Sequence, residues 1–287
     1  MRKAAVAGAW IALILILGLA YRAAGGRFFL SEENGETKVR ILRTKEDADC
    51  IIIGNGVKAV MIDAGEAQDG ERILEVLQET GVETLDALIL THPDLDHVGG
   101  ASAVLQAAAV DKVIMPYYNG EKEELDAVKN YCKKTGIQVY CPNHVWKMNV
   151  GYVNLLIYPP QEKHYKESNN YSLAVLAEHG SVRMFFGGDA LRKRSEELLL
   201  MNLPEVSLYK VPHHGRANSA SDEMFEALQP VYAVVTSKTA DEEIVRCGRQ
   251  YGSRLLFSGE ADVVFQSDGE HLILQGGEAA AQGSKGQ

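Results

Sequence analysis

The sequence is poor in the features that mark several protein classes. Its four cysteines, Cys50, Cys132, Cys141 and Cys247, show no C-x-x-C spacing. That does not resemble a zinc knuckle; in an exported protein Cys132 and Cys141 could pair, and buried free thiols are the alternative. Prolines number only 8 in 287 residues, so no proline-rich linker divides the chain. Basic residues are outnumbered 29 to 39, a formal net charge of −10. This field repels polyanions and argues against non-specific nucleic-acid binding by the whole surface, although a local basic patch or a bound divalent cation reverses it locally. One long hydrophobic run exists, from Ala4 to Ala20 behind Met1-Arg2-Lys3. A positive start and an uncharged core of that length read as an export signal or a membrane anchor. Ala20, Ala23 and Ala24 allow cleavage, whereas Arg22 and Arg27 favour an uncleaved anchor.

What is present is the composition of a globular α/β protein, with 46% apolar residues and 27 glycines. The expected organisation is a signal or anchor over 1–24, a linker over 25–36, one folded domain over 37–276 and a disordered tail over 277–287. Within the domain, Cys50–Ile53 and Val57–Ile62 flank Asn55-Gly56 as a hairpin. Glu71–Thr80 is an amphipathic helix stopped by Gly81. Leu85–Leu90 is a buried strand that delivers a loop, after which Gly99-Gly100 opens an alanine-rich helix over 101–109. Further on, strands alternate with single helices and with hairpins, which implies mixed sheets covered by helices, an αββα sandwich.

Chemistry concentrates at strand ends. His92, Asp94, Asp96 and His97 place four metal-binding side chains within six residues on the loop after Leu85–Leu90. Imidazoles and carboxylates so spaced converge on adjacent cations, without which the two carboxylates repel each other. A solvated acidic turn accounts for D-x-D alone but not for its flanking histidines. Asp189 follows the apolar Met184–Phe186 and two glycines; it is either a ligand or a helix N-cap. His213-His214-Gly215 follows Leu208–Val211 at another strand end, and one of the pair is free to serve in proton transfer. His144, His164, His179 and His271 lack companion ligands and read as surface or turn residues.

These motifs resemble the metallo-β-lactamase fold, with its H-x-H-x-D-H loop, later aspartate and final histidine. The aspartate at position 94, where that pattern has its second histidine, resembles the C-terminal hydrolase domain of ComEC competence proteins, the DNA-uptake channels, and their stand-alone relatives. Asn169-Asn170-Tyr171-Ser172-Leu173, Gly187-Gly188-Asp189 and Val211-Pro212-His213-His214-Gly215 also resemble segments of that group. The resemblance implies a four-layer αββα hydrolase holding two divalent ions, zinc or manganese. His92 and Asp94 would hold one ion and Asp96 and His97 the other. Asp189 would bridge, and His213 or His214 would complete the site. Asp96 and His213 would then be the catalytic pair, and Asp63 would brace the loop. Asn169 stands where the middle histidine is missing, so one site is richer in oxygen. Lys210 and Arg216 are candidate contacts for a substrate phosphate.

The expected activity is hydrolysis by a metal-activated water outside the cytoplasm, on a small-molecule or nucleic-acid phosphodiester, with the membrane engaged through residues 4–20. Two alternatives remain at this stage: hydrolysis of a lactone, thioester or β-lactam, and a non-catalytic metal-stabilised module binding DNA or a cell-wall polymer. No protein partner can be inferred.

Overall fold

A computed structural model describes residues 35–277. The segment expected to act as signal or anchor, and the last ten residues of the chain, lie outside the described residues. Among the described residues no helix is long and apolar enough to cross a membrane.

The strands, in chain order, are β1 (Thr37–Ile41), β2 (Ile51–Gly54), β3 (Lys58–Ile62), β4 (Thr84–Ile89), β5 (Ala109–Val110), β6 (Lys112–Ile114), β7 (Gln138–Tyr140) and β8 (Trp146–Val150), then β9 (Val153–Tyr158), β10 (Ala174–His179), β11 (Val182–Phe186), β12 (Leu208–Lys210), β13 (Tyr232–Val235), β14 (Arg254–Phe257), β15 (Val263–Ser267) and β16 (Leu272–Gly276). They form two sheets. The first runs β16-β15-β1-β2-β3-β4-β6-β7, with β5 also paired to β4, and the second runs β14-β13-β12-β11-β10-β9-β8. Each sheet is antiparallel in one half and parallel in the other. The parallel pairs are β3 with β4, β4 with β5 and with β6, and β6 with β7 in the first sheet, and β11 through β14 in the second.

Alternation along the strands builds the layers, because successive side chains face opposite sides of a sheet. Ile51 and Ile53 of β2, Val60 and Ile62 of β3, Leu155 and Ile157 of β9, and Met184 and Phe186 of β11 meet in one core between the sheets. The intervening Ile52, Ala59 and Met61 face helices Gly70–Thr80, Ala101–Ala107 and Glu123–Thr135 on the outside of the first sheet. Phe185, Tyr209 and Ala233 do the same for helices Arg192–Leu199, Ser221–Leu228 and Glu242–Gln250 on the second. The architecture is the expected αββα sandwich.

Some local expectations are corrected. The helix after Gly100 ends at Ala107, and Ala109–Val110 pairs with β4 instead. In the β2–β3 connection only Gly56 has a positive φ, because Asn55 turns the chain by accepting the backbone N–H groups of Val57 and Lys58 on its side-chain oxygen. All four cysteines are free thiols: Cys132 is buried while Cys141 is exposed. His179 is not a surface residue but is buried on β10 beside the Ser267 hydroxyl, 2.9 Å away.

Candidate metal centre

The site forms at the carboxyl ends of β3, β4, β11 and β12, where the parallel halves of the two sheets come together. After β4, the segment expected to be an open loop closes one helical turn over Leu95–Val98, with Asp94 at its N-cap. That turn packs on the chain just after β3, and Gly100 makes this possible: a Cβ there would lie 2.2 Å from the Ala64 carbonyl oxygen. Asp189 approaches in the same way. Gly188 has φ +57°, and a Cβ on it would meet Ser172 Oγ at 2.8 Å and Thr91 Cβ at 3.0 Å.

After β12, His213 and His214 both adopt left-handed backbone conformations, φ 53° and 52°. Such conformations are costly for non-glycine residues and are retained where surrounding contacts impose them. The result is a division of labour. The His213 N–H donates to Asp189 Oδ1 at 3.1 Å, while the His214 ring turns into the site.

Four side chains from both sheets converge there. His214 Nε2 lies 3.0 Å from Asp96 Oδ2 and 3.1 Å from Asp189 Oδ2, and His97 Nε2 lies 3.3 Å from Asp189 Oδ2 and 3.7 Å from Asp96 Oδ2. One donor atom from each of Asp96, His97, Asp189 and His214 falls within 4.8 Å of the others. His97 Nε2 and Asp189 Oδ2 are buried with no hydrogen bond, facing only the other donors of the group, an arrangement that a cation would complete. Two carboxylates and two imidazoles suit a divalent transition metal, so the residues fit the ion they were expected to hold.

The far side of each imidazole is fixed by an acid. His97 Nδ1–H donates to Asp63 Oδ2 at 2.7 Å, and Asp63 is itself held by the backbone N–H and hydroxyl of Thr91, each at 2.7 Å. His214 Nδ1 faces Thr236 Oγ1 at 3.0 Å and Asp49 Oδ1 at 3.4 Å. Such contacts set the tautomer that leaves Nε2 free for a metal. Burial alone would depress both imidazoles, but neighbouring carboxylates outweigh it. Asp189, Asp63 and Asp49 hold His97 well above its ordinary value, and Asp189, Asp49 and Asp96 push His214 up to about 11. Metal-free, the cluster therefore stores protons where a cation would otherwise balance its charge.

The remaining candidates are distributed around this cluster. His92 is buried with its ring 4.1 Å from that of His97 and its Nε2 3.5 Å from Asp94 Oδ2. Asp94 is not among the four grouped donors; Lys122 Nζ donates to its Oδ1 at 2.7 Å and Ser168 Oγ to its Oδ2 at 2.6 Å. The Asn169 carbonyl accepts the Ser172 hydroxyl at 2.6 Å. The His213 side chain is half-buried and lies outside the grouped donors, and Arg216 is exposed with its guanidinium 3.9 Å from Asp47. Lys210 corrects an expectation: it is fully buried, so it cannot meet a substrate at the surface. Its ammonium pairs with Asp49 and donates to Asp189 Oδ1 at 3.2 Å and the Gly188 carbonyl at 3.1 Å.

The sequence pattern of the metallo-β-lactamase superfamily matches residues 43–236. The chain belongs to that superfamily. That superfamily is a metal-dependent hydrolase fold, and the curated relatives this chain matches include ComEC-type competence proteins. It is 28% identical over 171 residues to ComE operon protein 3 of Bacillus subtilis, covering 58% of this chain and 22% of that protein. It is 28% identical over 193 residues to Recombination protein 2 of Haemophilus influenzae, covering 65% and 22%. Competence protein ComA of Neisseria gonorrhoeae matches 72% of this chain and 29% of its own length at 26% identity. The chain thus spans less than a third of the curated relatives it matches. Among solved structures, the metallo-β-lactamase-fold protein YhfI of Bacillus subtilis superposes with a TM-score of 0.57 over 81% of this chain and 100% of its own, at 12% identity. CmlA, a diiron β-hydroxylase of Streptomyces venezuelae, gives 0.54 over 79% and 53%, at 10% identity. Both likenesses concern the fold.

Asp49 and Lys122 escaped the sequence reading. Asp49 sits in the charged stretch Lys45-Glu46-Asp47-Ala48-Asp49 and Lys122 in Glu121-Lys122-Glu123-Glu124, where each looks like solvated surface. The available signal for Asp49 was its position two residues before the buried strand Ile51–Gly54, an acid next to the start of a strand as Asp63 and Asp189 are next to the ends of theirs.

Proposed function

We propose that the protein is a metal-dependent phosphodiesterase, of small molecules or of nucleic acid, held outside the cytoplasm by the uncharged segment Ala4–Ala20. The observation that supports this reading is the donor group Asp96, His97, Asp189 and His214, with Asp94 and His92 next to it, which together with Asn169, standing by the resemblance where a histidine is missing, makes the site rich in oxygen. Carboxylate-rich sites suit manganese as well as zinc, and hard cations bind phosphoryl oxygens well. The similarity to competence proteins points the same way.

A bound divalent cation would supply Lewis acidity and a water that ionises near neutral pH. The chain's own residues do the positioning. Asp63 and Asp49 hold the His97 and His214 rings, and Lys210 and the His213 N–H hold Asp189 Oδ1 so that Oδ2 faces the centre. Asp96, with 30% of its side chain exposed, is the donor on the open side, where substrate enters. The half-buried His213, its ring 6.3 Å from that of His214, is the candidate proton carrier, and exposed Arg216 offers a charge to an approaching anion.

Purified protein loaded with manganese or zinc should cleave bis(p-nitrophenyl) phosphate or single-stranded DNA. Asp96→Ala should lower that rate by about 100-fold or more, the scale of losing one electrostatic stabiliser. Metal-loaded protein that hydrolyses nitrocefin or a lactone and leaves phosphodiesters intact would refute the reading.

A further inference from the structure

The metal centre has two halves, and they are not equally equipped. Asp96, His97, Asp189 and His214 form a complete four-donor group. On the other side, His92 Nε2 is buried and makes no hydrogen bond; its nearest acid is Asp94 Oδ2 at 3.5 Å, and that carboxylate is also engaged by two other donors. Asp94 spends both carboxylate oxygens, Oδ1 on the Lys122 ammonium at 2.7 Å and Oδ2 on the Ser168 hydroxyl at 2.6 Å. Asp189 spends Oδ1 on Lys210 at 3.2 Å and on the His213 N–H at 3.1 Å, leaving Oδ2 alone for a cation. Asn169, on the same short turn as Ser168, offers no imidazole.

Each carboxylate oxygen that would face a second cation is thus already in contact with a donor of this chain, and in two cases that donor is an ammonium. A carboxylate–ammonium pair at 2.7 Å is a strong, charge-assisted contact. It is also only partly shielded, with 36% of the Lys122 side chain and 20% of the Asp94 side chain exposed.

We infer that this centre holds one metal ion, and that the Lys122 ammonium takes the place of a second. The inference rests on the four-donor group binding metal, as proposed above, but not on the identity of the substrate. Lys122 balances the charge of Asp94 beside the single ion, and its exposed face presents a positive charge to substrate. With one ion bound at the four-donor group, the Lys122 ammonium, and not a second metal, would face the anionic group of the substrate.

Metal stoichiometry tests this without reference to turnover. Metal-free protein is titrated with manganese, the bound metal is counted by elemental analysis, and the manganese spin-resonance spectrum is recorded. The wild type is expected to take up one ion per chain with an uncoupled six-line signal. Lys122→Ala, which frees Asp94 beside His92, is expected to add a second, weaker ion with a spin-coupled signal. Retention of the first ion shows that the variant is folded, and Lys122→Gln serves if the alanine variant is not. Two ions in the wild type, or one ion in both proteins, overturns the inference while leaving a metal-dependent hydrolase intact. No bound ion in either protein defeats the metal reading itself.

Discussion

Asp63 occupies a left-handed backbone position, φ 58°, yet all its polar reach is inward, to His97 Nδ1 and to the backbone and hydroxyl of Thr91. Asparagine tolerates the same backbone conformation, so Asp63→Asn removes the negative charge behind His97 without moving the chain. Metal affinity should fall by about 10- to 100-fold, the usual consequence of losing an acid behind a metal-binding imidazole. A competition titration against a chelating dye reads this directly, and unchanged affinity would show that Asp63 does not tune His97. At this scale the sequence was partly legible. The loop His92–His97 and Asp189 stood out because they follow apolar strands, whereas Asp63 was singled out only through the resemblance. Asp49, Lys122 and the burial of Lys210 did not, because each is defined by a partner far away in the chain: Lys210 for Asp49, Asp94 for Lys122. Nor could the sequence choose between His213 and His214, since the left-handed pair of backbone angles decides which ring enters the site.

Among the elements, helix Arg192–Leu199 carries a fully buried arginine that the sequence pattern gives no reason to place inside. Arg194 donates through Nε to the Ser172 carbonyl at 2.9 Å, through Nη2 to the Tyr158 carbonyl at 2.8 Å and through Nη1 to Glu197 at 3.0 Å. Its backbone N–H also meets Asn170 Oδ1 at 3.2 Å. The helix is thereby fastened to the Ser168–Tyr171 turn, and Ser172 Oγ in turn accepts the Asp189 N–H at 3.1 Å. Removing the guanidinium takes the counter-charge from Glu197, which keeps only the Tyr165 hydroxyl and the Gln161 N–H, and takes the donor from two carbonyls besides. Arg194→Met should therefore cost about 3 kcal/mol or more in urea unfolding. A loss under about 1 kcal/mol would mean that water replaces the guanidinium without penalty. Elements with a sharp period were readable beforehand, among them Gly70–Thr80 and the strands of the parallel halves. Strands β1 and β8 were not, because they are short and carry exposed charged and polar side chains on one face, as in Thr37–Ile41 and Trp146–Val150.

For the whole molecule, the decisive geometry is that the four donors do not share a sheet. Asp96 and His97 follow β4 of the first sheet, whereas Asp189 and His214 follow β11 and β12 of the second. An ion bound by these four donors would therefore join the two sheets across the mouth of the core, and its binding energy would add to folding stability. At a free metal concentration of 100 times Kd the gain is about 2.7 kcal/mol, which raises Tm by about 5–10 °C in a domain of this size. The sign of its pH dependence follows from the imidazoles. Without metal, both are held above the unfolded value of about 6.5, His214 at about 11. Their protonated contribution to the metal-free fold is complete below about pH 6.5 and is lost as pH rises toward those folded values. Metal requires the same nitrogens deprotonated, so its affinity climbs over that window and each ion bound releases protons. The Tm difference between manganese-loaded and chelator-treated protein should widen from pH 6 to pH 8. Calorimetric scans at fixed free metal measure it, and a difference that stays level or narrows over that range would mean that His97 and His214 are not the groups the cation displaces protons from.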